Sequence, residues 1–159
     1  MRGSVSTDMS VQASAKDIWA VFSSNDLPKM LPDLLPGAFE KIDIIQGDGG
    51  VGTKLHVVLA QGIPEPRSWN EKFMMIDDVR RMKRIQVTKG GLLDFGFRSY
   101  ENVFQIIEKG TNSCIIRSTV HFEADEDKFE ANASQIKADA SWGVGKAIAN
   151  HVVQKKTTV

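Results

Sequence analysis

The sequence predicts an α+β fold in which a strongly curved antiparallel sheet wraps one long C-terminal helix and encloses a cavity. Three observations predict it. From Phe39 to Glu123, short alternating apolar and polar runs are separated by turn residues, the pattern of antiparallel strands. From Glu126 to about Val153 the period becomes helical. Between the first strand and the rest lie two short helical stretches, so the helices stay to one side of an antiparallel sheet. A long sheet of this kind curls, and a helix in its concavity leaves space where ligands bind.

Each element follows from its residues. Residues 4–12 read as a strand with Val5, Thr7, Met9 and Val11 on one face. Ser14, followed three residues later by Asp17, gives a capping-box-like helix start, and Ile18, Trp19, Val21 and Phe22 supply its apolar stripe. Pro28, Pro32 and Pro36 limit the next segment to one more short helix near 26–34. Strands are expected near 39–46, 53–60, 67–76, 81–89, 97–107 and 113–123. Their turns fall at Gly47–Gly50, Gly62–Pro64, Asp77–Asp78, Gly90–Gly91 and Gly110–Asn112. Phe129, Ala133, Ile136, Ala140, Val144, Ala147, Ile148 and His151 form one stripe on the final helix, which at 1.5 Å per residue reaches roughly 40 Å. Trp142 falls nearly opposite that stripe and should be half-exposed unless Gly143 and Gly145 bend the helix.

Composition narrows the function classes. At 159 residues the chain fits one domain over 1–159 and can bury a real core. Twenty Lys+Arg balance twenty Asp+Glu, leaving no basic field for nucleic acid or an anionic membrane. The basic run Arg80, Arg81, Lys83, Arg84 comes after Asp77 and Asp78 and reads as a hairpin tip. Cys114 is the one cysteine, so neither an intramolecular disulfide nor a multi-thiolate site can form. His56, His121 and His151 show no ligand spacing, and no metal or other cofactor is expected. Residues Met1–Ser4 lack the apolar core of a signal peptide and no run reaches membrane-spanning length, so a cytoplasmic monomer or weak homodimer is expected.

Alternation then singles out charged residues inside. On the strand from Arg67 to Ile76, the face set by its apolar members carries Trp69, Glu71, Phe73 and Met75; on the next, the same face carries Lys83, Ile85 and Val87. With a turn near Asp78, Glu71 and Lys83 come within one or two side chains of each other. A buried carboxylate and ammonium are costly unless paired or hydrated, so one reading is a structural ion pair at the cavity mouth, or a strand register that puts both outside. The other is a poised acid and base, because a low-dielectric site pulls both pKa values toward neutrality. Tyr100, Asn102, Phe104 and Ile106 share a face of a third strand and would set a hydroxyl and an amide in an apolar surface. Ile136, Ala140 and Val144 would supply the opposite wall, or ordinary core. The expected ligand is a small aromatic or apolar molecule.

The loop Gly47-Asp48-Gly49-Gly50-Val51-Gly52-Thr53 joins two strands and lacks Lys before Thr53, which excludes a phosphate loop. With Ile45 and Gln46 it resembles the glycine-rich loop of the birch-pollen-allergen and pathogenesis-related class 10 family, and the order of elements agrees over essentially the whole chain. The resemblance implies a START-like helix-grip fold: a seven-stranded curved sheet around a long C-terminal helix, a V of two short helices and a large cavity. The stretches Asn70–Phe73, Arg81–Arg84 and Gly90–Gly96 are most similar to plant norcoclaurine and norbelladine synthases, which join a phenylethylamine to an aromatic aldehyde. By that likeness the catalytic Lys falls on Lys83 and the catalytic Glu on Glu71. Trp69 stands where a norcoclaurine synthase carries a catalytic Tyr, and Asn102 where it carries an Asp. The function implied is amine–aldehyde condensation in a hydrophobic cavity; the alternative is a non-catalytic carrier or sensor of a plant hormone or aromatic metabolite.

Overall fold

A computed structural model describes residues 1–157. Seven strands form one antiparallel sheet: β1 (Arg2–Val11), β2 (Phe39–Gln46), β3 (Lys54–Leu59), β4 (Ser68–Asp77), β5 (Met82–Gly90), β6 (Ser99–Gly110) and β7 (Ser113–Glu123). Their spatial order is β1-β7-β6-β5-β4-β3-β2, so β1 crosses the sheet to pair with β7 and every other neighbour is a hairpin partner. Helices α1 (Ala15–Phe22) and α2 (Leu27–Leu34) connect β1 to β2. A 3-10 turn, Gly91–Phe95, comes directly after β5.

The short helices form where their ends dictate. Ser14 Oγ accepts the Asp17 backbone N–H at 3.1 Å, capping α1 as its sequence predicts. α2 starts with Pro28 in its first turn and stops before Pro36. Ile18 and Phe22 of α1 are fully buried, and each such side chain contributes about 1.5–3 kcal/mol through the area it removes from water. They pack with Phe104, Ile106, Cys114 and Ile116 of the sheet and Ile148 of the C-terminal helix in the main core cluster.

Helix occupies the C-terminal span as expected but is interrupted. α3 (Glu126–Lys137) ends at Ala138, and α4 (Ala140–Thr157) starts directly after Asp139. Asp139 Oδ1 accepts the Ser141 backbone N–H at 2.8 Å, which satisfies an otherwise unpaired donor in the first turn of α4. Gly143 and Gly145 are not the bend. They let α4 approach its neighbours: a Cβ on Gly143 would sit 3.4 Å from Leu35 Cδ2, and one on Gly145 3.5 Å from Ile116 Cγ2. Trp142 is half-buried, its indole N–H donating to the Ile136 carbonyl at 3.2 Å across the break.

Two sequence expectations need correction. A bulge between Phe73 and Met75 reverses the parity of β4, so Ile76, rather than Met75, packs against the core. Ile136 is fully buried among Val87, Leu92, Phe97, Val120 and Phe122. It is core and does not line the cavity, because the break after α3 separates its direction from that of Ala140 and Val144.

The glycine-rich loop turns back on itself between β2 and β3. Gly49 N–H donates to the buried Thr53 Oγ1 at 2.9 Å, which consumes a donor that a phosphate would need. Gly49 has φ +102°, and a Cβ there would stand 1.9 Å from the Asn25 carbonyl oxygen, so only glycine fits between this loop and the α1–α2 connection. The basic run behaves as a tip: Val79 is 94% exposed and Arg80 lies 3.8 Å from Asp77.

Candidate active site

Between the sheet and the C-terminal helices lies a cavity of about 370 Å³. Its volume falls within the range of small-molecule sites. β3 supplies Leu55, Val57 and Leu59; α2 supplies Leu27 and Leu31; Ala140 and Val144 close the wall opposite the sheet. Trp69, Phe73, Tyr100, Asn102 and Phe104 line it from the sheet side.

β4 and β5 project Glu71 and Lys83 into this apolar space. The register explains how. Glu71 stands opposite Val87, Phe73 opposite Ile85 and Ile76 opposite Lys83, so a single inward pair separates the two charged residues. Lys83 is 1% exposed. Its ammonium donates to the Phe22 carbonyl at 3.1 Å and lies 4.1 Å from the centroid of the Phe73 ring. Neither partner carries a negative charge. Burial pulls its pKa down to about 8, and the Glu71 carboxylate offsets part of that fall.

Glu71 is held by its strand neighbour: the Trp69 indole N–H donates to Glu71 Oε1 at 2.7 Å. Burial raises the Glu71 pKa above its ordinary value; the Trp69 hydrogen bond and Lys83 oppose the rise, and Asp139 adds to it. Trp69 therefore serves as a rigid donor that orients the carboxyl, leaving the second oxygen for a ligand.

A second polar group forms where α3 meets α4. The Tyr100 hydroxyl donates to Asp139 Oδ2 at 2.5 Å, and the Asn102 amide donates to Asp139 Oδ1 at 3.0 Å. Burial, reinforced by Asp139, pushes the Tyr100 hydroxyl well above the usual phenol range, so it stays a neutral donor. Asp139 and Ser141 both line the cavity.

An apolar cavity that holds a buried ammonium and a perturbed carboxyl sits in a scaffold with known relatives. Residues 1–155 match the pathogenesis-related protein Bet v 1 family. The chain belongs to that family. Norbelladine synthase of Narcissus pseudonarcissus is 41% identical over 157 residues, covering 99% of this chain and 96% of that protein. S-norcoclaurine synthase 2 of Papaver somniferum is 39% identical, covering 96% of this chain and 66% of its own. Among solved structures, norcoclaurine synthase from Thalictrum flavum in complex with dopamine and hydroxybenzaldehyde superposes with a TM-score of 0.89 at 36% identity, covering 97% of this chain and 88% of that one.

Within this Bet v 1 scaffold, strand alternation finds the residues of β4, β5 and β6 but misses Asp139 and Ser141. Their signal is present: Asp two residues before Ser, in Ala138-Asp139-Ala140-Ser141, is a helix-start pattern inside what otherwise reads as continuous helix. Among the described residues no helix is long and apolar enough to cross a membrane.

Proposed function

We propose that this protein is a cofactor-independent enzyme that condenses an arylethylamine such as tyramine or dopamine with an aromatic aldehyde. The observation that carries the reading is Lys83, an ammonium with a pKa of about 8 that faces the cavity with no carboxylate among the described residues bonded to it. An ammonium so placed costs stability. Delivery of a proton to a bound substrate gives such a placement a use.

The chemistry follows from the geometry. The free amine attacks the aldehyde carbon: the C–N bond forms, the C=O π bond breaks, and one proton passes from nitrogen to oxygen by way of Glu71, giving a neutral carbinolamine and the Glu71 carboxylate again. Lys83 protonates the carbinolamine hydroxyl, so that the C–O bond breaks and water leaves as the nitrogen lone pair forms the C=N bond. Glu71 takes the proton released from nitrogen, or from a ring carbon if the product cyclises. A base with a raised pKa and an acid with a lowered one are matched to neutral pH, where general acid–base catalysis is most effective. Trp69, Phe73, Tyr100 and Phe104 offer aromatic faces and edges to the two substrate rings, and holding reactants in attack geometry contributes several kcal/mol. The relatives named for norbelladine and norcoclaurine synthesis support the same reaction class.

The test is a mass-spectrometric panel of amines against aldehydes. Wild type should give saturable product, and Lys83→Ala and Glu71→Ala should each lower turnover by about 10²–10⁴-fold. Wild-type turnover in either variant removes the mechanism. Ligand binding without product across the whole panel leaves carriage of an aromatic metabolite as the function.

A further inference from the structure

We propose that Asp139, at the junction of α3 and α4, is the residue that receives the substrate's amine, as an anionic anchor for the arriving ammonium. This rests on the condensation reading for the identity of the amine, while the observations behind it lie in a different part of the cavity.

Three donors converge on this carboxyl: the Tyr100 hydroxyl at 2.5 Å, the Asn102 amide at 3.0 Å and the Ser141 backbone N–H at 2.8 Å. All three are neutral. The interruption at Ala138 and Asp139 falls within the helical stripe that faces the sheet, and Asp139 lines the cavity at that break. Acids on the outer face of the sheet show the contrast. Glu101 takes both arms of Arg84, and Asp8 takes both arms of Arg117. Among the described residues no arginine or lysine is bonded to Asp139, which is half-buried and lines the cavity, so a cationic guest can supply its counter-charge.

A second observation points to a ligand at the same place. Ser141 is 7% exposed and lines the cavity, yet its hydroxyl is buried with no hydrogen-bond partner. Buried hydroxyls are normally satisfied. The junction thus carries an anion without a cation and, two residues on, a hydroxyl without a bond. A protonated amine, with three N–H donors, supplies the positive charge that Asp139 lacks, and a rotation of the Ser141 side chain, whose oxygen is sealed from the cavity as it stands, would give that hydroxyl its bond. The aromatic rings of Tyr100 and Trp69 line the same cavity and suit the aryl group of such a ligand. Glu71 faces the same cavity and feels the charge of Asp139; the anchored ammonium releases one proton to bulk water before attack, which leaves Glu71 free as the base of the later steps. Asp139 then sets which amine enters, and Glu71 and Lys83 act on it.

The experiment is calorimetric binding of tyramine and, separately, of 4-hydroxybenzaldehyde to wild type, to Asp139→Asn, and to the double exchange Asp139→Asn with Asn102→Asp. Asn at 139 keeps one oxygen to accept from the Ser141 N–H and the Asn102 amide, removes the charge, and replaces the acceptor of the Tyr100 hydroxyl by an amide donor toward which that hydroxyl must turn as acceptor; the exchange restores the charge across a 3.0 Å hydrogen bond. Tyramine affinity should fall at least about ten-fold in Asp139→Asn, the neutral aldehyde should bind within about two-fold of wild type, and the exchange should recover most of the tyramine affinity. Unchanged tyramine binding in Asp139→Asn overturns the proposal. So does equal loss of both ligands by a variant that keeps its thermal midpoint, which would make Asp139 a shaper of the cavity, and so does a wild type that binds no tyramine. Turnover is read in parallel. Product formation with Asp139-independent tyramine binding sinks the anchor and spares the enzyme, whereas Asp139-dependent binding without product does the reverse.

Discussion

Lys83 and Arg84 are consecutive residues of β5, and alternation sends them to opposite faces of the sheet. Arg84 lies outside and makes a two-armed bridge to Glu101 on β6, at 2.6 and 3.1 Å. Its charge is met and hydrated. Lys83 lies inside, bonded to a carbonyl and an aromatic face. The outer surface pairs Arg117 with both oxygens of Asp8 in the same way, and Arg98 divides its two arms between Glu123 and Asp125. Among the described residues, the inner surface leaves Lys83, Glu71 and Asp139 without direct ion pairs. On the sheet's outer face Arg84 and Arg117 meet carboxylates, whereas the charges that line the cavity are left open to a guest.

The contrast can be broken experimentally, and the largest effect belongs to turnover. Lys83→Ala should abolish most activity while Arg84→Ala, one residue away, leaves it within about two-fold, since exposed pairs contribute little. A product assay on the two variants checks this, and equal losses would erase the distinction between the faces.

Stability comes next. Lys83 has a native pKa of about 8 against an ordinary 10.5, so between those values the unfolded chain holds a proton that the folded one has released. Stability of the wild type therefore rises with pH across that window. Lys83→Met removes the buried charge and should be more stable by about 1–3 kcal/mol at pH 7, a gain that closes as pH approaches 10.5. Urea unfolding at several pH values measures it. Activity and stability should move in opposite directions at this position.

Glu71 has the complementary sign. Its folded pKa is raised, so the wild type loses stability as pH climbs past the ordinary 4.5. Glu71→Gln keeps an acceptor for the Trp69 indole and should match wild type in acid, then exceed it toward neutrality, in the same unfolding series. The smallest effect is expected outside. Arg84→Ala should cost under about 1 kcal/mol, and less still in molar salt.

The regions that could be read in the sequence are those where one period runs unbroken. In β4 from Trp69 to Phe73 and in β5 from Lys83 to Val87, strict alternation puts every inward residue on the correct face, Glu71 and Lys83 included. Two residues further along β4 the bulge inserts a residue and Met75 is misassigned, because nothing in Phe73-Met74-Met75-Ile76, all apolar, marks where parity changes. The C-terminal stripe holds as a buried face, with Ile136, Val144, Ala147 and Ile148 inside, but the interruption within it is hidden for a similar reason. Its 3.6-residue period continues across Asp139, so a pattern search sees one helix, while the structure has two and sends Ile136 into the core. Asp139 is hidden by that same continuity. The Trp69–Glu71 hydrogen bond could have been found, since residues two apart on a strand share a face.

The most direct test is the titration of Lys83 itself, monitored by NMR in protein labelled at the lysine ε-carbon and assigned with Lys83→Met. The structure predicts a midpoint of about 8, moving lower still in Glu71→Gln because the carboxylate that supports the charge is gone. A midpoint at the ordinary 10.5, unmoved by the Glu71 substitution, would mean that the ammonium is solvated like any surface lysine and has no acid to offer the cavity.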